Sequence, residues 1–119
     1  MADLLLVEND TRILELMQYF LERAGHSVRT AASFEEARKA IAERAPDLLL
    51  SDLELGAENG REELPRIAGQ GGLPRTLVVS GHLDRATAEA LERLPNVVGT
   101  LAKPYDMKRL LAKVEACLA

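Results

Sequence analysis

The sequence predicts an α/β domain of the (βα)5 kind: a doubly wound sheet of five parallel strands with helices on both faces. Three observations predict it. Short runs with apolar centres recur, among them "DLLLV" (3–7), "DLLLS" (47–51) and "TLVVS" (76–80). Between them lie stretches whose apolar residues recur at steps of three and four, the spacing of an amphipathic helix. And 119 residues make one domain, long enough to bury about two-thirds of its unfolded surface. Strands joined by helical crossovers run parallel and right-handed. Strands that are apolar on both sides belong to a sheet covered on both faces.

The elements follow in order. Residues 3–7 are too short for a helix and suit a buried strand. From Asp10 the spacing changes, and Ile13, Leu14, Met17, Phe20 and Leu21 mark the inward face of the first helix. Asp10 or Thr11 can cap its start and Gly25 its end. "HSVRTA" (26–31) reads as the second strand. Ser33 and Glu36 form a capping box for the second helix, with Ala37, Ala40 and Ile41 inward and Pro46 closing it. Residues 47–51 are the third strand, and "DLELGAENG" (52–60) is a loop. "REELPRIAGQGG" (61–72) is a short helix with Pro65 near its first turn, stopped by glycines. Residues 76–80 form the fourth strand, and 84–95 a helix capped by Asp84. "VVGTLA" (97–102) is the fifth strand, and the last helix turns Leu110, Leu111, Val114 and Leu118 inward.

Composition narrows the function. The net charge is −4 and aromatic residues make up 3 %. Nucleic-acid binding needs clustered Lys and Arg or a stacking platform, so it is not expected. One cysteine, Cys117, excludes a disulfide within the chain and points to a reducing compartment, the cytoplasm. With His26 and His82 as the only histidines, a zinc site is improbable. No apolar run approaches the roughly 20 residues that span a membrane, and no signal peptide is visible.

In open parallel sheets, ligands bind outside the carboxyl ends of the strands. Here the first strand runs into Glu8, Asn9 and Asp10; the third into Ser51 and Asp52; the fourth into Ser80 and Gly81; the fifth into Lys103 and Pro104. Carboxylates, an amide, a hydroxyl and an ammonium gathered on one edge suit chemistry on an anion beside a hard cation.

This constellation resembles the receiver domain of two-component response regulators, of the chemotaxis-regulator-like kind, over the whole chain. "LLLVEND" looks like the family's first strand and acidic pair. "PDLLLSDLELGAENG" looks like its phosphoacceptor strand and loop, with Gly60 at the loop-closing position. "TLVVSG" matches the hydroxyl-bearing fourth strand, and "LAKPYD" the Lys-Pro pair. The resemblance implies a flavodoxin-like sheet of strand order 2-1-3-4-5. It implies a phosphoacceptor signalling domain rather than an enzyme, with at most self-phosphorylation and self-dephosphorylation. Asp52 would accept the phosphoryl group from a phosphohistidine on a sensor kinase or phosphotransfer protein. Ser80 and Lys103 would hold phosphoryl oxygens. Mg²⁺ would take oxygen from Glu8, Asn9, Asp52 and the backbone carbonyl of Glu54. Glu54 and His82 would tune rates, and Ser80 and Thr100 would form the switch. Gly81 would keep the path to Asp52 open. Residues 84–118 would carry the output contact with a downstream protein, the alanines at 86, 88 and 90 permitting close docking, in a monomer or weak homodimer. No output domain lies within the 119 residues, which could act alone or belong to a longer protein. Without a metal, the carboxylates should repel and both titrate higher than usual.

The sequence also departs from the family. Asn9 stands where a second carboxylate is usual, so weakened metal binding is expected. Thr100 stands where a Tyr or Phe usually swings inward, and its small branched side chain offers no such lever. Gly56 replaces a loop proline. Glu54 places negative charge by the entry path, which should slow small anionic donors. Two alternatives follow: a degenerate receiver that binds partners without phosphorylation, and an electron carrier or small enzyme on the same fold. The latter would need a Gly- or hydroxyl-rich phosphate loop where "VENDTR" is acidic.

Overall fold

Three strands rich in Leu and Val form the centre of the sheet, as their nearly complete burial requires. The computed structural model describes residues 2–55, 58–70, 72–81, 83–103 and 106–119. In chain order the elements are β1 (Asp3–Val7), α1 (Thr11–Arg23), β2 (Ser27–Ala31), α2 (Phe34–Glu43), β3 (Leu48–Asp52), β4 (Glu54–Leu55), β5 (Glu58–Asn59), α3 (Gly60–Gly69), β6 (Thr76–Ser80), α4 (Arg85–Glu92), β7 (Val97–Ala102) and α5 (Met107–Leu118). The main sheet has five strands in the order β2-β1-β3-β6-β7, all parallel. This is the expected 2-1-3-4-5 arrangement, with β6 and β7 as its fourth and fifth strands.

The sheet separates two cores. On one face Leu5, Val7, Leu49 and Val78 meet Phe34 and Ala37 of α2, Leu64 and Ile67 of α3, and Leu91 of α4. On the other, Leu4, Leu6, Leu50, Leu77 and Leu101 meet Met17 and Leu21 of α1 and Leu110, Val114 and Cys117 of α5. Alternate residues of one strand feed opposite cores, which is why the strands read as unbroken apolar runs.

The helix signals act as the sequence implies. The Asp10 carboxylate accepts the Arg12 and Ile13 N–H groups, Ser33 Oγ accepts Glu36 N–H, and the Asp84 carboxylate accepts Thr87 N–H. At the end of α1, Gly25 adopts φ +99°, and His26 N–H reaches back to the Leu21 carbonyl. That left-handed turn suits glycine, which carries no Cβ penalty there.

Four expectations need correction. Phe20 is not inward: it stands exposed on α1, because Met17 and Leu21 already fill the space below the helix. Pro65 lies in the second turn of α3, since the helix starts at Gly60, capped by Asn59. The 52–60 segment is not simply a loop, for β4 and β5 pair antiparallel within it. The second and third strands each start one residue later than expected, and β3 takes in Asp52. Gly56, His82 and Pro104 lie outside the described residues.

Candidate functional site

Parallel registration brings the carboxyl ends of β1, β3, β6 and β7 to one edge. Glu8 follows β1 directly, and its N–H donates to the Ala31 carbonyl of β2 at 3.1 Å, extending the ladder by one step. Its side chain is buried, at 6 % exposure. One carboxylate oxygen, Oε1, accepts Asp10 N–H at 3.1 Å. Asp52 closes β3 and is also buried. Its Oδ1 accepts the N–H groups of Leu53 at 2.6 Å and Glu54 at 3.2 Å. That leaves Oδ2 directed to the Lys103 ammonium at 2.8 Å. The same ammonium lies 3.6 Å from Glu8 Oε2.

Lys103 reaches this place from just past β7, where its N–H donates to the Ser80 carbonyl at 2.9 Å. That bond ties the lysine to the end of β6. Ser80 itself is buried and registers with Ala102. Gly81 follows it exposed, and a Cβ there would lie 4.0 Å from the Lys103 side chain. So the described residues bring together Glu8, Asp52 and Lys103, with Ser80 at the adjoining strand end. Asn9 and Glu54 stand exposed at the rim.

The two carboxyls titrate in opposite directions. Burial pushes Glu8 above the usual carboxylate range, and the neighbouring Asp52 adds to the push. Burial also opposes an ionised Asp52. However, Lys103, the Glu54 N–H and the Glu8 side chain together hold Asp52 below the usual range. The expectation that both would rise is thus corrected. The lysine sits closer to Asp52 than to Glu8, so it selects which carboxyl keeps its charge.

The donor set can be tested against a hard cation. Among the described residues no three Asp, Glu, His or Cys side chains cluster as an all-protein metal cage. Two adjacent buried carboxyls, Glu8 and Asp52, do fit Mg²⁺. That ion is commonly held by one or two carboxylates, with water and phosphate completing its shell.

Thr100 is half-buried on β7 and pairs with Val78, two residues before Ser80 on the same sheet face. Its side chain is short and β-branched. Sequence reasoning missed two further features. One is an exposed apolar stripe on α1, formed by Leu16, Tyr19 and Phe20, with Arg23 stacked 5.4 Å from the Tyr19 ring centre. The i, i+3, i+4 spacing of these three residues was the available signal. The other is Glu58, whose carboxylate crosses to α2; no local pattern marks it.

A five-stranded parallel sheet with a lysine-paired aspartate at its central carboxyl end defines the class, the receiver domains of two-component response regulators. The chain belongs to this family: the model of the response regulator receiver domain matches residues 4–115. It is 34 % identical to the transcriptional regulatory protein AfsQ1 of Streptomyces coelicolor, covering 99 % of this chain and 52 % of that protein. It is 32 % identical to the DNA-binding transcriptional regulator NtrC of Azospirillum brasilense, covering 98 % of this chain and 24 % of that one. The chain thus spans about a quarter and about half of the length of these two curated relatives. Among solved structures, NtrX of Brucella abortus superposes with a TM-score of 0.85 at 32 % identity, over 98 % of this chain and 26 % of that one. The chemotaxis response regulator CheY4 of Vibrio cholerae shares the fold at TM-score 0.87 and 23 % identity, over 99 % of both chains.

Proposed function

We propose that this receiver accepts a phosphoryl group on Asp52 from a phosphohistidine donor and signals through changed contacts with another protein. The observation that carries this reading is the Lys103 ammonium 2.8 Å from a buried Asp52 carboxylate. A nucleophile must be ionised, and the lysine and backbone N–H groups favour that form of Asp52. In the transfer, an Asp52 oxygen bonds to phosphorus as the phosphorus–nitrogen bond breaks. The electron pair of that bond stays on the donor imidazole, which then takes a proton. Lys103, drawn from the Asp52 oxygen, pairs with a phosphoryl oxygen, and the Ser80 hydroxyl donates to another.

Glu8, Asn9, Asp52 and the Glu54 carbonyl would hold Mg²⁺, which when bound supplies charge neutralisation for the transferred group. Asn9 contributes oxygen without charge, so its affinity is expected to be weak. Glu54 slows small anionic donors at the rim, and His82 shares in setting the lifetime. The exposed α1 stripe supports docking of a protein donor, since clustered surface apolar side chains mark interaction sites. The sensor kinase or phosphotransfer partner meets the protein in the cytoplasm. Output runs through residues 84–118. Among the described residues no helix is long and apolar enough to cross a membrane.

Incubation with a phosphorylated histidine-containing donor and Mg²⁺ tests the reading. Label should pass to the wild type and not to Asp52→Asn; equal labelling of both would overturn it. A second reading, a partner-binding module that needs no phosphorylation, is favoured by Asn9 and by the short Thr100. Under it, beryllofluoride with Mg²⁺ would leave the Ser80 amide resonance unmoved.

A further inference from the structure

The hairpin that follows Asp52 is tied to α2 at two points. Leu55 of β4 is buried in the core that holds Phe34, Leu53 and Leu64. Glu58 of β5 accepts the Phe34 N–H on Oε1 at 3.0 Å, across 24 residues of chain. Phe34 opens α2, so this N–H is one of those a helix cannot satisfy internally. A carboxylate there also meets the positive end of the helix dipole. Ser33 serves a different N–H, that of Glu36, so Glu58 is not redundant with the cap.

The other end of the hairpin is fixed on Asp52. Leu53 and Glu54 donate their N–H groups to Asp52 Oδ1. The pairs Glu54–Asn59 and Leu55–Glu58 join the two short strands. Gly60 N–H closes the loop on the Leu53 carbonyl at 2.6 Å. A Cβ at Gly60 would lie 2.8 Å from Leu53 Cα, so the close approach needs glycine. The whole path from Asp52 to the first turn of α2 thus consists of hydrogen bonds and packed side chains.

We propose that Glu58 is a positioning residue: it pins the hairpin to α2, and so holds the Leu53 and Glu54 N–H groups on Asp52. Coupling runs both ways, because a linkage between two sites is reciprocal. A change in charge on Asp52 therefore reaches the start of α2. This route does not pass through Thr100, so it gives a signal path on the β3 side of the sheet. Its use in signalling rests on the reading of Asp52 as phosphoacceptor; the positioning role does not.

Amide NMR and hydrogen exchange on the whole chain test it. Glu58→Ala should speed Phe34 exchange about tenfold and also shift the Leu53 and Glu54 amide resonances. Glu58→Gln, which keeps an acceptor oxygen, should restore both. Asp106→Ala removes the cap of α5 on the opposite face, and should leave Leu53 and Glu54 unmoved. In the reverse direction, Asp52→Ala should speed Phe34 exchange. Unmoved Leu53 and Glu54 resonances in Glu58→Ala, or unchanged Phe34 exchange in Asp52→Ala, would overturn the proposal. Beryllofluoride with Mg²⁺ separates the two claims. If it binds and Phe34 shifts in wild type but not in Glu58→Ala, the signal path is supported. If it binds without moving Phe34, the signal path falls. If it does not bind while the variants show the coupling, the acceptor reading falls and the positioning role stands.

Discussion

Along the carboxyl edge of the sheet, the β1–β3 half and the β6–β7 half are built differently. Every residue of β3 is buried, and its last residue, Asp52, with Glu8 at the end of β1, is held by backbone N–H groups and a lysine. β7, at the edge, alternates between buried and exposed residues and leaves Val98 at 44 % exposure. Its Gly99 packs against α5, where a Cβ would lie 3.2 Å from Cys117 Sγ, while Thr100 on the opposite side is short. The difference teaches that the acceptor carboxylate is set in the buried half, while the lysine that pairs with it is delivered from the more exposed half. The half that ends in Asp52 has a fully buried central strand and backbone N–H groups on both carboxyls.

The comparison breaks most readily at Lys103. Lys103→Met should slow phosphoryl acceptance about a hundredfold, the usual scale for losing one positioned charge donor. It should also let the Asp52 carboxyl titrate upward, since burial then goes unopposed by the ammonium. Transfer rates followed against pH would show both effects. An unchanged rate would mean that the lysine is a structural counter-ion only.

Close packing in the acceptor half can be probed at Gly60. Gly60→Ala forces a methyl group onto the Leu53 backbone and should destabilise by roughly 1–3 kcal/mol. The same change at Gly69, where the added Cβ would meet nothing within 4 Å, should be harmless. Urea denaturation of the two variants makes the contrast; equal midpoints would refute the tight closure.

Asn9 sharpens the comparison from the side of charge. Asn9→Asp should raise Mg²⁺ affinity about tenfold, worth about 1.4 kcal/mol. Calorimetric titration at neutral pH measures it, and an unaltered affinity would place Asn9 outside the metal's reach.

The smallest effect concerns the α2–α3 rim. Arg38, with Arg66, holds the Glu63 carboxyl below its usual range. A carboxyl depressed in the folded state stabilises above its unfolded value, and this is lost as pH falls through the folded one. The pair is partly exposed, so roughly 0.2–1 kcal/mol is at stake. Stability measured from neutral to acid pH should fall less steeply in Arg38→Gln than in wild type. Parallel curves would remove this pair from the acid limb.

The central strands were legible because the runs at 3–7, 47–51 and 76–80 carry a plain burial signal, whereas the polar edge strand β2 is mostly half-buried or exposed and the strand order came from the family resemblance. The strand ends were legible too: Glu8, Asp52, Ser80 and Lys103 each directly follow or end an expected strand. Phe20 misled because it shares the helical period of Met17 and Leu21 yet lies just beyond the edge of the buried stripe. Glu58 was silent because its partner, Phe34, is distant in sequence and close only after folding. The opposed titration of Glu8 and Asp52 was equally hidden, since it depends on which carboxyl the Lys103 ammonium meets.

The most direct measurement is intact-mass and peptide mapping after incubation with acetyl phosphate and Mg²⁺. The account predicts one added phosphoryl group, mapped to Asp52 and absent in Asp52→Asn, with faster labelling in Glu54→Ala. A wild-type protein that stays unmodified with both small-molecule and phosphohistidine donors, or one modified elsewhere, would contradict it.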